Sequence, residues 1–257
     1  MSTIYSNIKN LKKEQTVILI DNLGSFLNTM NDLMKNNDYI FRGISKNDEK
    51  YPKIIRNNKV YSENRENQLF MEFEKYCGLY GRVRDCWEFL ALAQHHGLET
   101  RLIDFSSNPF VATFFSLHNS SATKHIIYVA NKKDYEEIKK VNFSCNGETF
   151  FGNISEMSYA QRTEYNFTRL SIEGKTIILE PNYANERVFA QRGLFLIPPF
   201  VDTKNIDTIY DEMPIKLVID KSASEEILAY LNKNNFDEFH LMPDLSSACF
   251  EINLITK

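Results

Sequence analysis

The chain has 257 residues, 43% hydrophobic and 25% charged, with a formal net charge of -4. That balance excludes a disordered chain, and the lack of a general cation excess disfavours bulk nucleic-acid binding, although a local basic groove remains compatible with it. The length suits one large domain with a sizeable core.

In chain order, MSTIYSNIKNLKKEQ lacks the apolar run of a secretory signal, and no later stretch is long enough to span a bilayer, so a cytoplasmic location is expected. VILID at 17–21 reads as a strand, with Asp21 expected to cap the helix that follows. In NLGSFLNTMNDLMKNN, residues Leu23, Phe26, Leu27, Met30, Leu33 and Met34 recur at helical spacing and form one apolar stripe. YIFRG then resumes an extended pattern, which predicts Arg42 at a strand end and Gly43 turning the chain. Residues 64–76 read as a helix, and DCWEFLALAQHHG as another, stopped by Gly97.

TRLIDF alternates like a short strand, SSNP makes a turn in which Ser106 and Ser107 can cap, and FVATFFSLHN is an apolar helix. HIIYVA, KTIILE, GLFLIP and IKLVID are predicted strands. Ser222 and Glu225 fit a capping box for SASEEILAYLNKNN, with Ile227, Leu228 and Leu231 facing inward, and PDLSSACFEINLI is predicted as a closing helix. Strands and helices mix without strict alternation, which predicts an α+β domain with a central mixed, mostly antiparallel sheet flanked by helices. Cys77, Cys86, Cys145 and Cys249 are scattered, so reduced thiols and no metal site are expected.

Three clusters could carry chemistry. In FRG at 41–43, Arg42 can offer its planar fork to a phosphate, carboxylate or ribose, while Gly43 would let a ligand approach the backbone; the alternative is a surface arginine before a turn. In QHHGLETRLIDF at 94–105, His95 and His96 sit about 100° apart on a helix, so at most one should face a pocket. That histidine could act as an acid or base, or cap the helix end. Asp104 ends a strand with apolar inner positions and needs a partner there. Arg101 is three residues away on the opposite strand face, which leaves Arg42 or a ligand. In ANERVFAQRGLFLIP, Arg187 and Gln191 are four apart and could clamp an anionic or amide-bearing ligand, or form a solvated face; Gly193 is expected to turn the chain into the next strand.

FRG at 41, QHHGLETRLIDFSSNPFVATFFSL at 94–117, RVFAQRGLFLIP at 187–198 and the closing MPDLSSACFEI together resemble the bacterial and phage FRG-domain family. Phe105 stands where tryptophan is frequent in that pattern, and Arg192 where a second glutamine is common. The resemblance implies a single FRG-type domain over 1–257, with 1–40 an N-terminal strand and helix leading into the FRG motif. It also implies that Arg42, Gln94, His95, Thr100, Arg101, Asp104, Arg187 and Gln191 form one site. More distantly, the arrangement resembles the ADP-ribosyltransferase fold, an analogy of fold alone.

That second resemblance implies an NAD-dependent transferase, in a defence or toxin setting, with NAD as substrate. Arg42 would hold the dinucleotide, Ser106 would support the nicotinamide side, and Gln191 or Glu186 would align the ribose. The acceptor stays unnamed. Two other classes remain: a non-catalytic sensor for a nucleotide-like small molecule, and a hydrolase using His95 and Asp104 as acid and base.

Overall fold

The computed structural model describes residues 15–56, 59–77, 86–120, 122–137, 142–145, 148–151, 176–180, 186–199 and 201–243. The predicted closing helix lies outside them. The elements run β1 (Thr16–Ile20), α1 (Leu23–Leu33), β2 (Tyr39–Ile44), α2 (Glu63–Cys77), α3 (Cys86–His95), β3 (Ile103–Ser106), α4 (Pro109–Leu117) and β4 (Lys124–Asn131). There follow β5 (Glu136–Glu137), β6 (Asn142–Cys145), β7 (Glu148–Phe151), β8 (Ile177–Leu179), α5 (Glu186–Ala190), β9 (Gly193–Ile197), α6 (Thr203–Asp211), β10 (Ile215–Asp220), α7 (Lys221–Lys233) and α8 (Glu238–Leu241). The fold is α+β.

Among the described residues, eight strands form one sheet in the order β1-β10-β4-β2-β3-β9-β8-β5, and β6 pairs with β7 in a second. The β1–β10 and β5–β8 pairs are parallel and the other pairs of the large sheet antiparallel. Side-chain alternation sends successive residues to opposite faces and so builds two cores. On one face Phe41, Ile127, Val129, Leu217 and Ile219 meet Phe26 and Met30 of α1, Phe114 of α4, and Ile227 and Leu231 of α7. On the other, Ile40, Ile44, Ile103, Phe105, Tyr128, Leu194 and Leu196 meet Ile54, Ile55 and α6, through Ile206 and Tyr210.

Helix caps differ from expectation in a consistent way. In each case the cap is the residue immediately before the first helical turn, whose side-chain oxygen reaches an opening amide. Asn22, not Asp21, caps α1, accepting from the Ser25 amide at 2.8 Å, while the Ser25 hydroxyl meets the Asn22 amide. Asn108 rather than Ser106 or Ser107 caps α4, and Asp220 rather than Ser222 caps α7, so the expected Ser222–Glu225 box does not form. α6 escaped the sequence reading, although Asp202 as cap and Ile206, Ile209 and Tyr210 at helical spacing announce it.

Candidate functional site

Arg42 and Gly43 lie inside β2, opposite Tyr128 and Ile127 of β4, so Gly43 does not turn the chain. Its missing side chain admits another element of the protein, not a ligand. A Cβ at Gly43 would fall 1.7 Å from the Ala112 carbonyl oxygen and 2.9 Å from the Ser116 nitrogen. α4 therefore rests on the bare backbone of β2.

β2 and β3 share one register pair, Phe41 with Ser106. Beyond it β2 stays with β4 and β3 stays with β9, where Asp104 faces Phe195. Arg42, 7% exposed, spans the gap that opens between them. Its Nη1 donates to the Asp104 carbonyl and its Nη2 to the Glu49 carbonyl, each at 2.5 Å. Through Nη1 the guanidinium supplies one cross-strand hydrogen bond where the backbone ladder stops, and Nη2 ties β2 to the segment after it. Its Nε is buried and has no hydrogen-bond partner among the described residues.

At this opening lies a cavity of about 480 Å³, within the range of small-molecule sites. All three motifs contribute to its wall: Arg42 and Gly43 from the first, Gln94, His95, Asp104 and Ser106 from the second, Arg187 and Gln191 from the third. Arg42, Lys46, Lys53, Arg56 and Arg187 bring positive charge to it, against the carboxylates of Glu49 and Asp104. Apolar wall comes from α4 and β9, including Val111, Phe115 and Phe195.

The sequence did not single out Lys46, Glu49, Lys53 or Arg56. The signal was present as a basic stretch, SKNDEKYPKIIR, one residue after the FRG triplet. Glu49 organises this stretch by accepting from the Ser45 amide and hydroxyl, each at 2.8 Å, and from the Lys46 amide at 3.3 Å. Burial alone would raise its pKa, but these bonds and the Arg56 charge outweigh burial and hold it below the ordinary carboxylate value. Lys53 donates to the Gly97 carbonyl at 2.9 Å, tying the stretch to the end of α3, where Gly97 takes a positive φ of 92°.

The expected site residues divide. His95 lines the cavity, whereas His96 is exposed. Asp104 takes a hydrogen bond from Gln94 Nε2 on Oδ1 at 2.6 Å, and its Oδ2 lies 3.6 Å from Arg42 Nη1. Ser106 donates to the Gln191 carbonyl at 2.7 Å and accepts from the Asn108 amide at 2.9 Å; its hydroxyl braces the start of α4. The Gln191 side chain donates to the Leu241 carbonyl at 2.8 Å, and the left-handed turn before β9 falls on Arg192, at φ 46°, instead of Gly193.

Two residues expected in the site are not on the cavity wall. Arg101, 3% exposed, meets the equally buried Glu66, from Nε at 3.0 Å and Nη2 at 2.5 Å, while Nη2 also reaches the Tyr61 hydroxyl at 2.7 Å. Thr100, 1% exposed, turns its hydroxyl to Gln94 Oε1. Both support the site from inside, because a buried charge or hydroxyl must find its partner within the protein.

Residues 37–125 match the FRG domain, a span that takes in the first two motifs and not the third. The chain carries an FRG domain. The match runs from the approach to β2 into β4, so it contains the Arg42 strut, the basic stretch, the Gln94–Asp104 segment and α4. α5 and β9, which complete the cavity wall, lie beyond the matched FRG segment. No curated protein and no solved structure matches the chain. Among the described residues, no helix is long and apolar enough to cross a membrane, and no cluster of His, Cys, Asp and Glu could hold a metal ion.

Proposed function

We propose that the FRG-domain cavity binds an anionic, nucleotide-sized small molecule, with NAD the ligand nominated by the motif resemblance. One observation carries this reading: in a chain of net charge -4, five cationic side chains and two carboxylates line a single cavity of about 480 Å³. Low-dielectric walls concentrate such a field and favour a phosphate ester over neutral competitors. Because both Nη atoms of Arg42 already donate to carbonyls and its Nε is buried, the phosphates fall to Lys46, Lys53 and Arg187.

A second reading, transfer of ADP-ribose from bound NAD, is favoured by Asp104, whose side chain is 59% exposed at the cavity. In that reaction the nicotinamide–ribose bond breaks with its electron pair leaving on nicotinamide, and an acceptor nucleophile bonds to the ribose carbon. Positive charge develops on the ribose meanwhile, and a nearby carboxylate stabilises it. With the Gln191 amide held by Leu241, Asp104 suits this role better than Gln191.

Thermal shift against NAD, ADP-ribose and ATP tests the first reading, and nicotinamide release in cell extract tests the second. Binding raises the melting temperature, and Lys46→Glu removes the rise. Unchanged melting at saturating concentrations of all three ligands rejects the anionic-ligand reading. Binding of NAD without nicotinamide release leaves a sensor module and rejects the transferase.

A further inference from the structure

We propose that Thr100 and Gln94 are positioning residues for Asp104, holding its carboxylate as a hydrogen-bond acceptor for a hydroxyl of the bound ligand. This rests on the anionic-ligand reading of the cavity and adds to it the kind of ligand: one whose hydroxyl groups are separate from its phosphates.

The hydrogen bonds form a directional chain. The Leu102 amide donates to Thr100 Oγ1 at 3.3 Å, and the Thr100 hydroxyl donates its hydrogen to Gln94 Oε1. With its oxygen end taken, the Gln94 carboxamide presents Nε2 to Asp104 Oδ1 at 2.6 Å. The flipped carboxamide would put Oε1 against the carboxylate, two acceptors with no hydrogen between them, and would leave the buried Thr100 hydroxyl facing an amide donor. Thr100 is 1% exposed and does not line the cavity, so its influence on a ligand passes through Gln94.

At the far end of the chain, Asp104 Oδ1 is occupied, while Oδ2 is 3.6 Å from Arg42 Nη1, beyond hydrogen-bond reach, and retains its lone pairs. Although ion-paired with Arg42, the Asp104 carboxylate is 59% exposed at the cavity and disfavours phosphate beside it, and so it sorts the ligand's parts. Phosphate goes toward the basic stretch after β2, and a neutral hydroxyl toward Asp104. A ribonucleotide meets both demands; inorganic pyrophosphate meets one.

The test has a ligand-free arm and a binding arm, using wild type, Thr100→Val, Thr100→Ser and Asp104→Asn. In ligand-free NMR spectra, the Gln94 side-chain amide protons should be protected from exchange in wild type and Thr100→Ser, and lose that protection in Thr100→Val. In titrations with NAD and with inorganic pyrophosphate, Thr100→Val and Asp104→Asn should weaken NAD about tenfold, the scale of one charge-assisted hydrogen bond. Thr100→Ser should bind NAD like wild type, and pyrophosphate should bind Asp104→Asn at least as well as wild type. Thr100→Val with wild-type Gln94 resonances and wild-type NAD affinity overturns the inference, as does pyrophosphate binding by a protein indifferent to NAD. If wild type binds neither probe, the anionic-ligand reading fails, and the Gln94 resonances alone decide whether Thr100 orients Gln94.

Discussion

Gly43 illustrates how a short motif can act through packing. A Cβ there would overlap the Ala112 carbonyl oxygen, and neither backbone can retreat without separating α4 from β2. Gly43→Ala is therefore expected to cost roughly 3 kcal/mol, the upper end of core overpacking, read as a lower urea midpoint. The Arg101–Glu66 pair is a second case, since both side chains are almost fully buried. Arg101→Leu should destabilise by about 3 to 5 kcal/mol, because Glu66 is left as an uncompensated charge, and adding Glu66→Leu should recover much of that loss. Glu49 makes the pH dependence specific. Its folded pKa lies below the ordinary value of 4.5, so its contribution is fully present above 4.5 and is lost as pH falls through the lowered folded value. Glu49→Gln should flatten that acid limb in urea titrations, whereas an unchanged limb would mean that its hydrogen bonds to Ser45 and Lys46 add nothing to stability.

Elements with strong periodicity were legible from sequence, and so were most of their boundaries. The α1 stripe, the β-branched runs of β4 and β10, and the Gly97 stop each follow from local chemistry that tertiary packing did not override. Caps were less legible, because several neighbouring side chains can serve and the winner depends on backbone geometry. At α4, Asn108 accepts from the Phe110 amide at 3.0 Å while Ser106 braces Asn108 itself, so the predicted serine acts one step behind the cap. Asn108→Ala should lower stability by about 1 kcal/mol, measured by chemical denaturation, and Asn108→Ser should retain most of it. Arg42, expected at a strand end, lies in the interior of β2. The parting of β2 from β3 after one register pair is a property of the whole sheet, and only that parting explains why an arginine occupies a strand interior.

Across the molecule, residues separated by up to some hundred and fifty positions, Arg42 and Gln191 among them, meet on one cavity wall. The polar motifs announced that convergence, but the cations that give the cavity its charge, Lys46, Lys53 and Arg56, lie in an irregular stretch with no periodicity to mark them. Thr100 and Arg101 carried the same motif letters as the lining residues, yet strand direction and burial turned them to internal partners. An excess of cations lining a cavity open to solvent predicts affinity that weakens with added salt. It also predicts a large linkage effect: a ligand at a hundred times its dissociation constant adds about 2.7 kcal/mol of stability. The most direct measurement is calorimetric titration of NAD into wild type, Lys46→Glu and Lys216→Glu, the last altering a residue of β10 away from the cavity wall. Saturable binding in wild type and Lys216→Glu, lost in Lys46→Glu, is the predicted result; equal affinity in all three proteins, or no binding to wild type, would contradict it.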